Sequence, residues 1–343
     1  MSRRRNKKKS VWPKIIIFVV ILVLAAVIFG RKGEEKEEET KWLEGSMLRI
    51  GDTQVDYREG MVYLNAVQQD YEQYYGSDIW KYAIDAGGNT MGAVIKQQTL
   101  EQIIYIKVVC QKASELGIVL SEEELQTVDA QTAAYMEKMK ESDLLLHGVN
   151  ADIVRRIYSD NLLARKTFEV TTLNVDTDIP DEEAAQHKFQ TIAIRNFKID
   201  ASGNRVSYEE NELEELTARV EGLRTKALET EDFYKLAAAN TEDSTMLEVT
   251  GGKGDFPEEY EKTVLSLKTG EVSEVIKTTD YYYIFYCVSD FDIDATHEKK
   301  EEIIATRQEE EFRTRYNEWR GFTRIEVNEE VWEALDFDME SVG

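Results

Sequence analysis

The chain has 343 residues and a formal charge of −25, from 67 Asp+Glu against 42 Lys+Arg. Seven Lys/Arg fall in the first 14 residues, so the rest, at −25 less those seven, carries −32. A body this acidic does not bind nucleic acid by charge, and 42% apolar residues exclude disorder throughout. About two folded units fit the length, at roughly 100–200 residues each. The two cysteines, Cys110 and Cys287, cannot frame a disulfide-stapled fold, and neither stands in a C-x-x-C. Three scattered His without an H-E-x-x-H argue against a zinc enzyme. No metal and no cofactor is expected.

Residues 1–14 form a basic tail, and residues 15–30 are an unbroken apolar run. With Val11 and Trp12 that run makes a helix of about 20 residues, long enough to span a bilayer. Basic residues before it and acidic ones after it put the tail in the cytoplasm and the body outside, on a single-pass anchor in the cell membrane. A cleaved signal peptide competes with this reading, but Ala25-Ala26-Val27 is a poor cleavage site. Residues 31–46 are an acidic linker, too charged to pack at their start.

From residue 47 the pattern turns globular. Leu48 to Val55 reads as a hairpin with Gly51-Asp52 at its turn. Asp56 caps a helix to about Tyr75, with Met61, Leu64, Val67, Tyr71 and Tyr74 or Tyr75 on its inward face. A second helix, about Met91 to Leu116, is apolar on most sides and therefore central, with Gly117 as its stop. Ser121 to Glu124 is a capping box for a third helix to about Lys140. Asn150 caps a fourth to about Phe168, with Ile153, Ile157, Leu162 and Leu163 inward. After a junction containing Pro180 the pattern is mixed: a strand over 189–197, a turn at 200–204, helices over 207–229 and 231–240, the second capped by Thr230. A loop at 250–254, a short helix over 258–267 and strands at 275–277 and 281–288 complete this stretch. A charged helix over 295–320, a strand at 323–327 beside the first hairpin, and a short helix with Trp332 close the chain.

Several stretches carry a family resemblance. Gln190-Thr-Ile-Ala-Ile194 sits where parvulins, the small peptidyl-prolyl isomerases, have R-H-I-L-V. Glu231 to Asp243 resembles their x-D-F-x-x-L-A-x-x-x-S-x-D helix. Gly251 to Phe256 is similar to G-G-D-L-G-x-F, one residue short. Tyr260 to Ser273, ending Leu267-Lys-Thr-Gly-Glu-Val-Ser, follows F-x-x-A-x-x-x-L-x-x-G-E-V-S, and Tyr281 to Val288 lies where the family has G-Y-H-I-I-x-V. With Glu115 to Glu124 before it and Trp319 to Glu330 after it, the whole resembles the PrsA/SurA-type extracytoplasmic foldases. The fold class this implies is α+β: an N-terminal transmembrane helix, a mostly α-helical chaperone lobe of N- and C-terminal segments (47–175 and 295–343), and an inserted parvulin-like (FKBP-like) α/β domain at 184–291. The partners implied are unfolded or newly secreted polypeptides and the membrane, with no nucleic acid. A homodimer is compatible with the resemblance.

Prolyl isomerisation faces the amide resonance barrier of ~18–20 kcal/mol, so a catalyst must favour the twisted amide over either planar form. Parvulins build a cluster of two His, a Cys or Asp, and a Ser or Thr. The resemblance places Thr191 and Tyr283 at the two His positions, Asp243 at the Cys/Asp position, and Asp280 at the Ser/Thr position, or Thr279 with a one-residue shift. Tyr260 and Phe256 wall the proline pocket, and the Met or Leu usual between them is missing. Both histidines are thus replaced, and weak or lost isomerase activity is expected, with a non-catalytic holdase or envelope scaffold as the alternative. His187 is a poor substitute in this register. Asp243 also reads as a plain loop carboxylate, and Tyr281-Tyr-Tyr283 as strand packing. Gly251-Gly-Lys-Gly254 lacks the G-K-[ST] ending of a phosphate loop.

Overall fold

The computed structural model describes residues 42–139, 143–145 and 147–337. The basic tail, the apolar run and most of the acidic linker lie outside these residues. Among the described residues no helix is long and apolar enough to cross a membrane. The architecture is mixed α+β and rich in helix. Two compact units are present, one made of Met1–Leu173 and Phe312–Gly343, the other of Asn174–Glu311.

In the first unit, β1 (Ser46–Ile50) and β2 (Thr53–Asp56) pair antiparallel across Gly51-Asp52. Gly51 has φ +56°, in the left-handed region that tight hairpin turns demand. The strand β9 (Ile325–Val327) pairs with β1, giving the order β2-β1-β9, as expected of the C-terminal strand. The Asp56 carboxylate accepts the Arg58 N–H and opens α1 (Tyr57–Tyr75). Helices α2 (Met91–Glu115), α3 (Glu122–Lys138) and α4 (Ala151–Thr171) follow, the third with its full Ser121/Glu124 capping box. Ile103, Ile104, Ile106, Val108 and Val109 of α2 are all buried, which is why that helix is apolar on most sides. Two details differ from expectation. Tyr74 and Tyr75 are exposed, because the core-facing stripe of α1 ends at Tyr71. Leu162 and Leu163 are only half-buried, and Ala164 and Thr167 take the tighter positions.

A charged knot sits inside this unit. The Lys107 ammonium donates to Glu59 at 2.5 Å and to Asp160 at 2.6 Å, and Arg156 reaches the other Glu59 oxygen at 3.1 Å. Glu59 is 1% exposed, and the cations of Lys107 and Arg156 meet its two oxygens. Burial works to depress the Lys107 pKa, but the Asp160 and Glu59 charges outweigh it and hold it above the ordinary lysine value.

The second unit starts with the short α5 (Asp181–Ala184) and β3 (His187–Arg195). A small hairpin follows, β4 (Lys198–Ile199) and β5 (Arg205–Val206), its loop closed by Asp200, which accepts the Ser202 and Asn204 N–H groups. Then come α6 (Glu210–Glu229), α7 (Phe233–Asn240), β6 (Glu248–Gly251), α8 (Glu258–Leu265), β7 (Ile276–Lys277) and β8 (Tyr281–Ser289). The cap of α7 is Asp232, not Thr230; Thr230 instead accepts the Asp232 N–H. The four-stranded sheet is antiparallel throughout, in the order β6-β3-β8-β7. Side chains alternate across it. Ile192, Ile194, Tyr282 and Ile284 face α6 and α7, while Phe189, Phe285 and Cys287 pack with α8 on the opposite face. The helix α9 (Ile293–Phe322) is continuous, and α10 (Glu329–Glu333), in the first unit, is the last helix among the described residues, with Trp332 buried.

Cys110 and Cys287 are both free and belong to different units; Cys287 is buried and Cys110 half-buried.

Candidate functional site

The sheet face of the second unit that packs on α8 gathers most of the residues singled out by sequence. Thr191 lies opposite Phe285, and Ala193 opposite Tyr283, so Thr191 and Tyr283 are diagonal neighbours on one face. An aromatic wall runs along that face. Tyr283 is 5.6 Å from Tyr281 and 5.6 Å from Tyr260, centroid to centroid, and Tyr260 is 5.8 Å from Phe285. Phe256 meets Phe189 edge-on at 5.7 Å and Phe285 edge-on at 6.4 Å. Tyr260 and Phe256 are both buried in this cluster.

The loop before α8 is shaped by close packing rather than for an anion. A Cβ on Gly251 would sit 2.9 Å from the Phe256 ring, and one on Gly252 2.2 Å from the Ala185 carbonyl oxygen. The Gly252 N–H donates to Asp255 and the Gly254 N–H to Glu261. Carboxylates therefore already occupy the N–H groups a phosphate would need.

Polar groups frame the wall. The Thr191 hydroxyl is buried and has no hydrogen-bond partner among the described residues. Burial, then Tyr260 and Tyr281, then the charges of Asp243 and Asp280, push the Tyr283 phenol up to about 12. Burial and then Glu259 raise Tyr260 as well. Both phenols are neutral O–H donors at physiological pH. Asp243 is tied to β3: the Glu242 N–H donates to the Ala193 carbonyl at 2.7 Å, and the Ala193 N–H donates to the Thr241 hydroxyl at 3.1 Å. Its Oδ1 accepts the Thr245 N–H and hydroxyl, so it also caps a 3-10 turn. The Asp280 carboxylate forms an ion pair with Arg205, whose guanidinium lies 4.0 Å over the Phe197 ring. Asp280 thus belongs to the rim, clamped to the β4–β5 hairpin.

Sequence reasoning missed Phe189, Phe285 and Met246. The first two follow from strand alternation, since they share the parity of Thr191 and Tyr283. Met246, three residues after Asp243, packs its thioether against the Phe256–Tyr260 cluster. No periodicity marks it. His187 stacks on Phe189 at 5.8 Å, and its Nδ1 is buried without a partner among the described residues. Burial holds its pKa below the ordinary histidine value. It lies four residues from Thr191 along β3, at the far end of the wall.

Comparison with known proteins places this geometry. A family model described as a SurA-like N-terminal domain matches residues 1–144, and one described as a PPIC-type PPIase domain matches residues 200–289. A foldase protein PrsA of Clostridium botulinum (strain Langeland) is 24% identical over 255 residues, covering 68% of this chain and 74% of its own. A foldase protein PrsA of Caldanaerobacter subterraneus is 25% identical over 215 residues, covering 61% of each chain. The chain pairs the two domain types of the PrsA/SurA-type foldases. A solved peptidylprolyl isomerase (PrsA) of Bacillus cereus aligns over 76% of this chain and 92% of its own, at 17% identity and a TM-score of 0.33. The PPIC-type match begins at residue 200, after β3, so Thr191 precedes it while Asp243, Phe256, Tyr260, Asp280 and Tyr283 lie within it. The β3–β8 face of this chain carries the Thr191 hydroxyl beside the phenols of Tyr283 and Tyr260.

Proposed function

We propose that this foldase stands on a single-pass N-terminal anchor (residues 15–30) with its body outside the cytoplasm, and that it holds unfolded polypeptides while offering weak prolyl isomerisation. In this reading residues 47–175 and 295–343 form one chaperone lobe, interrupted by the isomerase-like domain at 184–291. The prolyl ring lies against Tyr260 and Phe256, with Phe285 and Met246 behind them. As the amide twists, resonance is lost and the nitrogen gains a lone pair that can accept a hydrogen bond. Tyr283, neutral at physiological pH, is the donor beside that nitrogen. Thr191 offers its unpartnered hydroxyl from the floor, Asp243 stabilises positive character nearby, and Asp280 fixes the rim through Arg205.

The observation that carries this reading is the continuous aromatic wall with an unpartnered Thr191 hydroxyl at its base. The loss of both imidazoles supports slow turnover and favours holding as the principal activity. A protease-free assay of X-Pro isomerisation, run beside suppression of aggregation of a reduced client, tests both parts. Acceleration over buffer together with suppression is the expected outcome. Suppression alone leaves a holdase, and neither activity leaves an envelope scaffold.

A further inference from the structure

The C-terminal end of α1 and the segment between it and α2 carry aromatic side chains that neither the core nor the isomerase-like face uses. Tyr74 is 76% exposed, Tyr75 67%, Tyr82 64% and Ile84 43%. The base beneath them is fixed. Tyr75 lies 6.2 Å from Tyr71, and Tyr71 5.7 Å from the buried Trp80. Trp80 stacks on Phe337 at 4.0 Å and donates its indole N–H to Glu72 at 2.7 Å. The Met91 N–H donates to the Tyr82 carbonyl and the Ile84 N–H to the Asn89 carbonyl, closing the segment that presents Tyr82 and Ile84. Four acids and one base, Lys81, fall between Asp70 and Asp85.

We propose that this tyrosine surface docks cationic stretches of an unfolded client, taking Arg and Lys side chains onto its rings with Asp70 and Asp78 as counter-charges. The proposal deepens the holding activity above and rests on the reading that the helical unit binds unfolded chains. Tyrosine offers a large rigid contact with few torsions to freeze, and its ring face attracts a cation. Exposed aromatic surface rimmed by polar groups is the signature of an interaction site. Charge decides the occupant. A second copy would bring two acidic segments together on bodies that each carry −32 beyond the basic tail, whereas a cationic segment is attracted.

The test uses the full chain and two labelled extended peptides, one alternating Arg with Ala and one with Glu in place of every Arg, read by fluorescence anisotropy. The Arg peptide should bind at least about tenfold tighter than the Glu peptide, and more weakly as salt rises. Replacing Tyr74, Tyr75 and Tyr82 together by Ala should weaken it about tenfold, while the three Phe replacements, which keep the ring faces, should retain it. Asp70→Asn with Asp78→Asn, which leaves every aromatic ring in place, should also weaken it. Equal binding of the two peptides, or unchanged binding by the triple Ala variant, overturns the proposal. If that variant still suppresses client aggregation, the holding activity survives and only this surface is eliminated. A triple Ala variant that loses self-association in sedimentation but keeps peptide binding assigns the surface to a second copy and likewise overturns it.

Discussion

Two buried polar sites, one in each unit, are matched in opposite ways. In the helical unit the buried Glu59 carboxylate meets Lys107 and Arg156, and Lys107 also meets Asp160. In the sheet unit the buried Thr191 hydroxyl has no partner among the described residues, and the aromatic wall stands beside it. A matched charge knot fixes how α1, α2 and α4 pack and leaves nothing over for a ligand. An unmatched buried hydroxyl costs stability in the free protein, a cost that the proposed peptide ligand would offset by supplying a partner. Under the proposed function, the contrast is between residues that build the fold and residues held for a substrate.

The largest expected effect breaks the matched side. Lys107→Met removes the lysine partner of Asp160 and leaves Glu59 with Arg156 alone, and the helical unit should lose about 3–5 kcal/mol, read from its denaturant midpoint. The same knot predicts a pH effect. The Lys107 pKa is raised in the folded state. Its stabilisation is therefore fully present below the unfolded lysine value of about 10.5 and is lost as pH rises through the folded value. Thermal unfolding followed across the alkaline range checks this, and Lys107→Met should flatten that dependence. Thr191→Val probes the unmatched side and should behave oppositely. Removing an unpartnered hydroxyl should leave stability unchanged or raise it by up to about 1–3 kcal/mol, while any isomerisation falls. The smallest effect belongs to the rim. Arg205→Ala breaks a half-exposed pair with Asp280 and should cost only about 0.2–1 kcal/mol, with a larger proportional change in peptide affinity if the β4–β5 hairpin borders the substrate.

Much of this was legible from residue pattern. The caps at Asp56, Ser121 and Asn150 are local and appear where the sequence places them. The pairing of β9 with β1 was expected because the C-terminal segment has too little apolar surface to stand alone. The Tyr74–Tyr75 end of α1 misled, because helical spacing says which residues share a face but not where the core stops covering it. The charged knot was invisible for a related reason. Glu59, Lys107 and Asp160 lie 48 and 53 positions apart and meet only through tertiary packing. On the candidate site, motif spacing led to Tyr260, Tyr283 and Asp243, whereas Met246 and the Arg205 clamp on Asp280 arise from loops whose paths no periodicity encodes.

The most direct test of the account is the exchange rate of an Ala-Pro peptide, measured by NMR with the full chain and with Tyr260→Ala, across about pH 7 to 9. Tyr283 is pushed up to about 12 and His187 titrates below the ordinary histidine value, so neither changes state in that window. The account predicts a modest acceleration over buffer that is flat with pH and disappears in Tyr260→Ala. A rate equal to buffer, or an acceleration that survives Tyr260→Ala, would contradict it.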